Sequence, residues 1–155
     1  MRLEELGTMR MRYDEGTWIA PCGEHEYVGF GTGKVRIEGP RIGGTMHWSN
    51  HPRRREDGVW CPDLDGAIVT DDGANLLVRI EGYSIIEDTP TVGRAIVAAV
   101  WFRSDDARYR WLNYFLGIGE GEIDETTEEW WMKIYAVRNE VAKGLPKIDA
   151  AAWPD

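Results

Sequence analysis

Two side chains of this sequence could carry acid–base chemistry together. His47 lies in the run RIGGTMHWSN, and Asp63 opens the run DLDGAIVT. An imidazole beside a carboxylate can accept and return a proton near neutral pH. If the two runs form neighbouring strands, both residues lie at the same end of them. We therefore predict His47 as a catalytic base and Asp63 as its orienting group or as the acid. A surface histidine and a turn aspartate that never meet are the alternative.

A second group combines phenol, indole and amide side chains. The run RYRWLN places Tyr109, Trp111 and Asn113 at every second position, so an extended chain turns them to one face. Such residues can line a cavity mouth and orient an aromatic ligand. Alternatively, Trp111 and Leu112 plug the end of a barrel while Asn113 caps backbone groups. Trp48 and Trp101 are predicted to form further apolar walls of a ligand site.

Arginines are the candidates for holding a polar or anionic group of a ligand. The run Arg53–Arg55 lies in an otherwise acidic chain. It could steer a carboxylate-bearing molecule to an opening, or it could simply be solvated and pair with neighbouring acids. Arg79 is either an outward residue paired with Glu81 or a buried anchor for a ligand carboxylate. We retain Arg79 and Arg41 as substrate-binding candidates.

Metal and nucleotide motifs are missing from the sequence. His47, His51, Cys61, Asp63 and Asp65 are suitable ligand types, but no HExxH, no CxxC pair and no facial-triad spacing occurs. The run GFGTGK lacks the Walker spacing, and no GxSxG elbow is present. We therefore predict a site without metal and without cofactor.

The elements that must position these residues are predicted to be β-strands. Asp72-Gly73 separates two β-rich runs and predicts a two-residue hairpin loop, with Val69 opposite Leu76. Further strands are expected at 8–15, 27–38, 41–50, 93–103, 114–120 and 129–138, with a loop at 17–26 and a short helical turn within 104–113.

Two of these strands have unusual faces. Gly29, Gly31 and Gly33 leave a strip without side chains, against which another group can pack closely. The run 93–103 is apolar on both faces, which predicts the most buried strand of the fold.

About eight strands with short antiparallel connections predict an all-β fold, namely a single up-and-down β-barrel. Closure removes unpaired strand edges, and a barrel of about eight strands can hold one small ligand. We place the barrel at residues 1–138 and a C-terminal tail at 139–155. A two-sheet sandwich is the alternative, and it would have no interior pocket.

Length and charge limit the partners of the protein. The 155 residues fit one domain, and eight tryptophans suggest either a large core or an aromatic-lined cavity. A net charge of −9 argues against nucleic acids and anionic membranes. No spanning apolar run and no signal peptide are recognised, so we predict a cytoplasmic protein with Cys22 and Cys61 reduced, a disulfide between them being the alternative. The apolar run 93–103 is compatible with a homodimer.

Several motifs resemble one uncharacterised bacterial family. The runs GPRIGG (39–44) and HW (47–48), Asp63 ahead of TDDGA (70–74), and RYRWLN (108–113) are similar to the family catalogued as domain of unknown function 3237. The resemblance covers residues 8–138, although this chain has His47-Trp48 where many members have Asp-Trp. It implies a compact β-barrel of calycin type, without a cofactor and without a generally assigned activity.

These observations lead to one functional expectation and one alternative. We expect a small-molecule enzyme that needs no cofactor and acts on an aromatic or polyketide-like ligand by acid–base chemistry, as a lyase, isomerase or cyclase. The alternative is a carrier or sensor that encloses a ligand without transforming it. A module with a filled core and an exposed apolar patch is a third interpretation.

Overall fold

The structure, a computed structural model, describes residues 1–21, 26–86 and 93–141. These residues form a short 3₁₀ helix (Arg110–Tyr114) and eleven strands. The strands are β1 (Arg2–Met11), β2 (Glu15–Ile19), β3 (Tyr27–Glu38), β4 (Gly44–Asn50), β5 (Arg53–Arg54), β6 (Trp60–Cys61), β7 (Asp63–Thr70), β8 (Asn75–Ile85), β9 (Gly93–Arg103), β10 (Gly117–Asp124) and β11 (Glu129–Arg138).

Eight of the strands close into a barrel. Strands β1, β3, β4, β7, β8, β9, β10 and β11 pair antiparallel in that order, and β11 pairs with β1. A further pairing of β1 with β3, through Thr8 with Glu38 and Met9 with Ile37, completes the ring. The predicted up-and-down antiparallel β-barrel is therefore confirmed, and the sandwich alternative is wrong.

Alternating side chains fill the inside of the barrel. On β9 the inward residues are buried: Ile96, Ala98, Val100 and Phe102. On the outward face, Val97 is 60% exposed and Trp101 is 41% exposed. The prediction that this strand is buried on both faces is wrong, because a single closed sheet has one covered side and no helix or second sheet covers β9 among the described residues.

The hairpin between β7 and β8 has a register one residue away from the predicted one. Its loop is Asp71–Gly73, so that Val69 pairs with Asn75 and Ile68 pairs with Leu76. A shift of one residue exchanges the two faces of a strand. Ile68 is consequently buried, whereas the predicted register gave it the opposite face from Leu76.

Side-chain capping explains the wider loop. The Thr70 hydroxyl donates a hydrogen bond to Asp72 Oδ1 (2.6 Å), and the Ala74 N–H donates one to Thr70 Oγ (2.7 Å). Gly73 has a φ of 86°, the left-handed conformation that glycine adopts without strain. These contacts stabilise a three-residue loop that ends in glycine instead of the two-residue turn.

The two ends of the barrel differ. At the plugged end, the 3₁₀ helix inserts Leu112, which is 1% exposed, into the core. At the open end, β2 pairs with β3, and β5 and β6 connect β3 to β8. Residues 17–19 of β2 fall in the predicted loop 17–26, and Glu15 ends the predicted strand 8–15. The five residues of β2 are all exposed, so it has no apolar alternation from which a strand could be recognised.

The predicted strands at 27–38, 93–103 and 129–138 have the observed bounds. The barrel strands end at Arg138, and residues 142–155 of the predicted tail lie outside the described residues, as does Cys22. Cys61 is a buried thiol. No helix in the described part of the chain is long and apolar enough to cross a membrane.

Candidate ligand-binding site

The open end of the barrel contains a cavity of about 660 Å³. A volume of this size is typical of small-molecule sites. Three kinds of side chain line it: aromatic rings of Tyr13, Trp18, Tyr27, Trp60 and Trp130; polar groups of Asn50, Ser84 and Arg94; and carboxyl groups of Asp14, Glu15, Asp124, Glu125 and Glu128.

The glycine strip of β3 makes room for the aromatic wall. A Cβ atom would come within 2.4 Å of the Trp18 ring at Gly29, of the Tyr13 ring at Gly31 and of the Trp48 ring at Gly33. Real Cβ atoms do not approach rings so closely, so these three positions require glycine while the rings stay in place. The predicted close approach to this strip is confirmed, and its occupants are the rings at the cavity.

The rings support one another through edge contacts. Tyr13 lies 5.6 Å from Trp18 and 5.7 Å from Trp130, centroid to centroid. Trp60 lies 5.8 Å from Trp18 and 5.3 Å from Tyr27. Aromatic pairs at such distances favour tilted and edge-to-face arrangements, which add to the stability of the wall.

Arg94 brings a positive charge into this aromatic cavity. It precedes Ile96 on the inward face of β9, and its side chain is only 14% exposed. The Arg94 carbon Cζ lies 5.0 Å from the centroid of the Trp60 ring, and Nε lies 2.9 Å from Glu125 Oε1. The contact of Nε with Glu125 is an ion pair without hydrogen-bond geometry, and Nη1 has no hydrogen-bond partner among the described residues. Burial lowers the pKa of Arg94, while the charge of Glu125 opposes that shift.

Tyr13 supplies a neutral phenol beside Arg94. The Asn50 side chain donates a hydrogen bond from Nδ2 to the Tyr13 hydroxyl (2.6 Å), and Asn50 Oδ1 accepts one from the backbone N–H of Asp63 (2.9 Å). Burial raises the pKa of Tyr13 to about 12, although Asn50 and Arg94 both act in the opposite direction. The phenol therefore keeps its proton at neutral pH and can donate it in a hydrogen bond to a ligand.

Ser84 adds a third polar group to the wall. It is 1% exposed, and its hydroxyl has no hydrogen-bond partner among the described residues. Buried polar groups usually have a partner, so an unpaired hydroxyl in a cavity wall indicates a position where a ligand can bond.

These groups can together bind an oxygen atom of an aromatic ligand. Arg94, Tyr13 and Ser84 all offer hydrogen-bond donors in a space shielded by indole rings. Donors fixed in advance in a shielded site stabilise negative charge that develops on an oxygen during a reaction. The arrangement therefore fits both binding and a proton-transfer step.

The predicted catalytic pair does not lie in this cavity. His47 is exposed on the outer face of β4 and pairs with Ala67, four positions along β7 from Asp63. That separation amounts to roughly 13 Å along a strand. The Asp63 carboxylate accepts a hydrogen bond from Arg79 (3.1 Å) on the outer wall. The prediction that His47 and Asp63 converge is wrong, because both occupy outward positions of their strands.

Arg79 and Trp101 also lie on the outer wall. Arg79 forms ion pairs with Asp63 and Glu81, so the outward alternative for this arginine is correct and the ligand anchor is wrong. Trp101 is opposite Arg79 on β9 and faces outward, away from the cavity.

Three other predicted residues belong to the plugged end. Asn113 exchanges two hydrogen bonds with the backbone of Ser104, both 2.8 Å long, as the capping alternative proposed. The Tyr109 hydroxyl lies 3.1 Å from Asp72 Oδ1. Trp111 packs under the Arg41 guanidinium, whose carbon is 4.6 Å from the ring centroid.

Arg41, a predicted substrate-binding residue, pairs there with Glu4 (3.3 Å). The plugged end is therefore held by its own cations and rings. It lies at the opposite end of the barrel from the cavity, and a ligand in the cavity does not touch these residues.

The triple arginine is divided among different contacts. Arg53 pairs with Glu26 (3.0 Å), and Arg55 pairs with Asp57 (2.5 Å), as expected for a solvated basic loop. The Arg54 guanidinium carbon lies 6.0 Å from the centroid of Trp60, beside the cavity wall.

Trp48 is the predicted residue closest to the observed site. It is 3% exposed and lies behind the cavity wall, with its ring 5.1 Å from Tyr13 and 5.6 Å from Trp130. Trp48 therefore supports two rings that line the cavity without lining it itself.

Sequence reasoning missed Arg94, Tyr13, Asn50 and Ser84. The sequence contained a signal for Arg94. On the strand GRAIVAAVWFR, Arg94 lies two positions before Ile96 and four before Ala98, so all three side chains face the same side of the sheet, which is the inside. Asn50 lies two positions after Trp48 on β4, so its side chain also faces the inside of the barrel. Within the described residues, no group of three or more potential His, Cys, Asp or Glu ligands lies close enough together to hold a metal ion.

Comparison with known proteins supports the barrel fold. The sequence matches no family model and no curated protein. A β-barrel-like protein from Acinetobacter baumannii is similar in structure, with a TM-score of 0.79 and 15% identity over 88% of this chain and 96% of the other. A protein of unknown function from Clostridium acetobutylicum has a TM-score of 0.79 and 16% identity, over 89% of this chain and 100% of the other.

An enzyme from Penicillium herquei is a further structural neighbour. Its TM-score is 0.63 at 24% identity, over 86% of this chain and 93% of the other. Identities this low establish the shared fold and leave the activity of this chain to be argued from its own site.

Proposed function

We propose that this protein binds an aromatic small molecule in its open-end cavity and catalyses a proton-transfer reaction on it without a cofactor, in the manner of a lyase, isomerase or cyclase. The ligand ring would lie between the indole side chains, and a carbonyl or enol oxygen would face Arg94. One of the cavity's carboxylates, such as that of Glu128, would accept the proton from the ligand carbon and return it to another position of the ligand. Negative charge that develops on the oxygen meanwhile would be stabilised by the guanidinium and by the Tyr13 phenol.

The observation that carries the proposal is the burial of the Arg94 guanidinium in the cavity wall with a donor left unpaired. A guanidinium that is 14% exposed and leaves Nη1 buried without a partner is costly to bury. Arg94 lies over the Trp60 ring in the cavity that Tyr13 also lines, so a ligand oxygen there can complete its hydrogen bonds. Arg94 is therefore the residue that we expect to contact the reacting oxygen.

One further point supports the enzymatic interpretation. The neighbour from Penicillium herquei is described as an enzyme, and its barrel covers most of this chain. The resemblance to the domain of unknown function 3237 remains a prediction and implies no particular activity.

A carrier or sensor is the second candidate function. The cavity contains hydrogen-bond donors that can bind a ligand, but the predicted His47–Asp63 pair lies outside it. A ligand could therefore bind there without meeting the predicted catalytic pair, as in a carrier. Both functions require the same ligand site, so they differ only in turnover. The cytoplasmic location, the bacterial origin and the homodimer remain predictions.

A thermal-shift screen tests the ligand site. Purified protein is titrated with aromatic hydroxy compounds, aromatic ketones and aromatic amides, and a ligand at 100 times its Kd raises the stability by about 2.7 kcal/mol. The ligand-induced shift should vanish in Arg94→Met. It should persist in Arg79→Met, a matched control that removes an arginine from the outer wall.

Turnover separates the two candidates. Compounds that give a shift are incubated with the protein and followed by mass spectrometry and by hydrogen–deuterium exchange at carbons next to a carbonyl. Exchange or conversion that requires Arg94 supports the enzyme. Tight binding with neither would leave the carrier, and shifts that are unchanged in Arg94→Met would refute the site.

A further inference from the structure

The cavity mouth has an acidic rim around a single inward arginine. Carboxyl groups of Asp14, Glu15, Asp124, Glu125 and Glu128 line it. Asp124 accepts hydrogen bonds from the backbone N–H groups of its own turn, so its charge is fixed in place. A negatively charged ligand that enters this mouth is repelled before it reaches the guanidinium.

Glu125 differs from the other rim carboxylates because it contacts Arg94 directly. Its Oε1 atom lies 2.9 Å from Arg94 Nε, and its side chain is 43% exposed. The carboxylate thereby occupies one edge of the guanidinium. The Nη1 donor remains buried and unpaired among the described residues.

The free donors near Arg94 suit a neutral oxygen. Nη1 can donate to a carbonyl, and the buried Ser84 hydroxyl, which is also unpaired, can donate or accept. A second carboxylate at this position would place two negative charges around one guanidinium inside a cavity of low polarity. Such an arrangement leaves one charge uncompensated.

We propose that Glu125 determines ligand specificity: by occupying one edge of Arg94, it makes the cavity select neutral aromatic carbonyl compounds and reject aromatic carboxylates. The inference rests on the proposed function and names the ligand class of the same site. It replaces the expectation of a carboxylate-bearing ligand, which came from exposed arginines that the structure places outside the cavity.

This specificity agrees with the proposed chemistry. A ligand that is neutral when it binds and acquires negative charge on its oxygen during proton transfer gains most from Arg94 in the transition state. Interactions that strengthen only in the transition state accelerate a reaction, whereas equally strong binding of an anionic ground state does not.

A pair of probes that differ in charge but hardly in shape tests the proposal. Naphthamide and naphthoate share the same ring, and one has a neutral carboxamide where the other has a carboxylate. Their dissociation constants are measured at neutral pH by isothermal titration calorimetry. The proteins are the wild type, Glu125→Gln, Glu15→Gln and Glu38→Gln.

Glutamine keeps the size of glutamate and removes its charge. Glu15 lies on the rim, and the ion pair of Arg94 is with Glu125, so Glu15→Gln measures the general effect of rim charge. Glu38 is 78% exposed at the end of β3, which is the plugged end, so Glu38→Gln is the distant control.

The wild type should bind naphthamide at least about tenfold more tightly than naphthoate, a difference of about 1.4 kcal/mol. Glu125→Gln should reduce this ratio to about threefold or less, mainly by improving the binding of naphthoate. Glu15→Gln should change the ratio by less than about threefold, and Glu38→Gln should leave it unchanged.

Two results would overturn the specificity role while the ligand site stands. One is a wild type that binds naphthoate as tightly as naphthamide, with both lost in Arg94→Met. The other is a ratio that Glu125→Gln leaves as it is. Failure of the wild type to bind either probe would count against the proposed function itself and, with it, against this inference.

Discussion

Replacement of Arg94 by methionine should leave the ligand-free protein about as stable as the wild type or make it more stable. Most substitutions of buried residues destabilise a protein. Arg94 is expected to differ because its position in the cavity costs free energy that only a ligand recovers. The substitution therefore separates a functional arginine from a structural one.

The magnitude follows from the contacts of Arg94. Nη1, which is buried without a partner, costs about 1–3 kcal/mol, so its removal gains that amount. Against this, the cation–π contact with Trp60 is worth about 1 kcal/mol, and the half-exposed ion pair of Nε with Glu125 is worth up to about 1 kcal/mol. Methionine retains most of the apolar stem. The net change should lie between a loss of about 1 kcal/mol and a gain of about 2 kcal/mol.

Urea denaturation and calorimetry measure this difference. For a chain of this length, each kcal/mol shifts Tm by about 2–4 °C, so Tm should fall by no more than about 4 °C and rise by no more than about 8 °C. Arg138→Met is the matched control, because Arg138 donates a hydrogen bond to Glu4 (2.8 Å) and covers the Phe115 ring at 4.1 Å. That variant should lose about 1–3 kcal/mol.

A loss of more than about 1 kcal/mol in ligand-free Arg94→Met would refute the reasoning. It would mean that Arg94 holds the open end together as Arg138 holds the plugged end. The unpaired donor would then have no functional meaning, and the proposed ligand contact would lose its main support.

Three further predictions concern the wall of the site, its phenol and the outer face. Because the folded state raises the pKa of Tyr13 from 10.0 to about 12, it holds this proton more tightly than the unfolded chain. The resulting contribution, about 2–3 kcal/mol, should be present below about pH 10 and disappear as the pH rises through 12. Alkaline absorbance titration should reveal a late tyrosinate step that is missing in Tyr13→Phe, and titration of all tyrosines near pH 10 would contradict this. Gly31→Ala would place a Cβ 2.3 Å from the Tyr13 ring and should lower the free energy of unfolding by about 1–3 kcal/mol in urea denaturation. The control Gly16→Ala, whose Cβ would have its nearest contact at 3.5 Å, should lower it by less than about 1 kcal/mol. Equal effects of the two substitutions would exclude the packing explanation. His47→Ala and Asp63→Asn should each keep the ligand-induced thermal shift and any turnover of the wild type, and a loss in both would restore them as functional residues.

The barrel could be predicted because its signals are local. Alternation along each strand and a turn between consecutive strands suffice to indicate antiparallel neighbours. The strand over 27–38 was found with its observed bounds. In contrast, β2 has no buried residue, so its pairing with β3 depends on the glycine strip and could not be read from its own five residues.

The candidate site could not be predicted to the same extent, because it depends on the direction and end of each strand. His47 and Asp63 are suitable in type, but both point outward, and the register places His47 beside Ala67. Arg94 points inward, and the sequence indicates this direction because Arg94 lies two positions before the apolar Ile96 on the same strand. The sequence did not show at which end of the barrel the described residues form a cavity.

By itself, the sequence determined that alternating strands would close around an apolar interior and that glycines at 29, 31 and 33 would let another group pack closely against the strand. Both properties follow from the period of a strand and from the absence of a Cβ atom. Only the tertiary structure decided which end of the barrel Leu112 fills and which end the described residues leave open. That choice gathers residues far apart in the chain, among them Tyr13, Asn50 and Arg94, and no local pattern encodes their meeting. It also leaves the Nη1 donor of Arg94 unpaired in a cavity, where a ligand oxygen can bond to it.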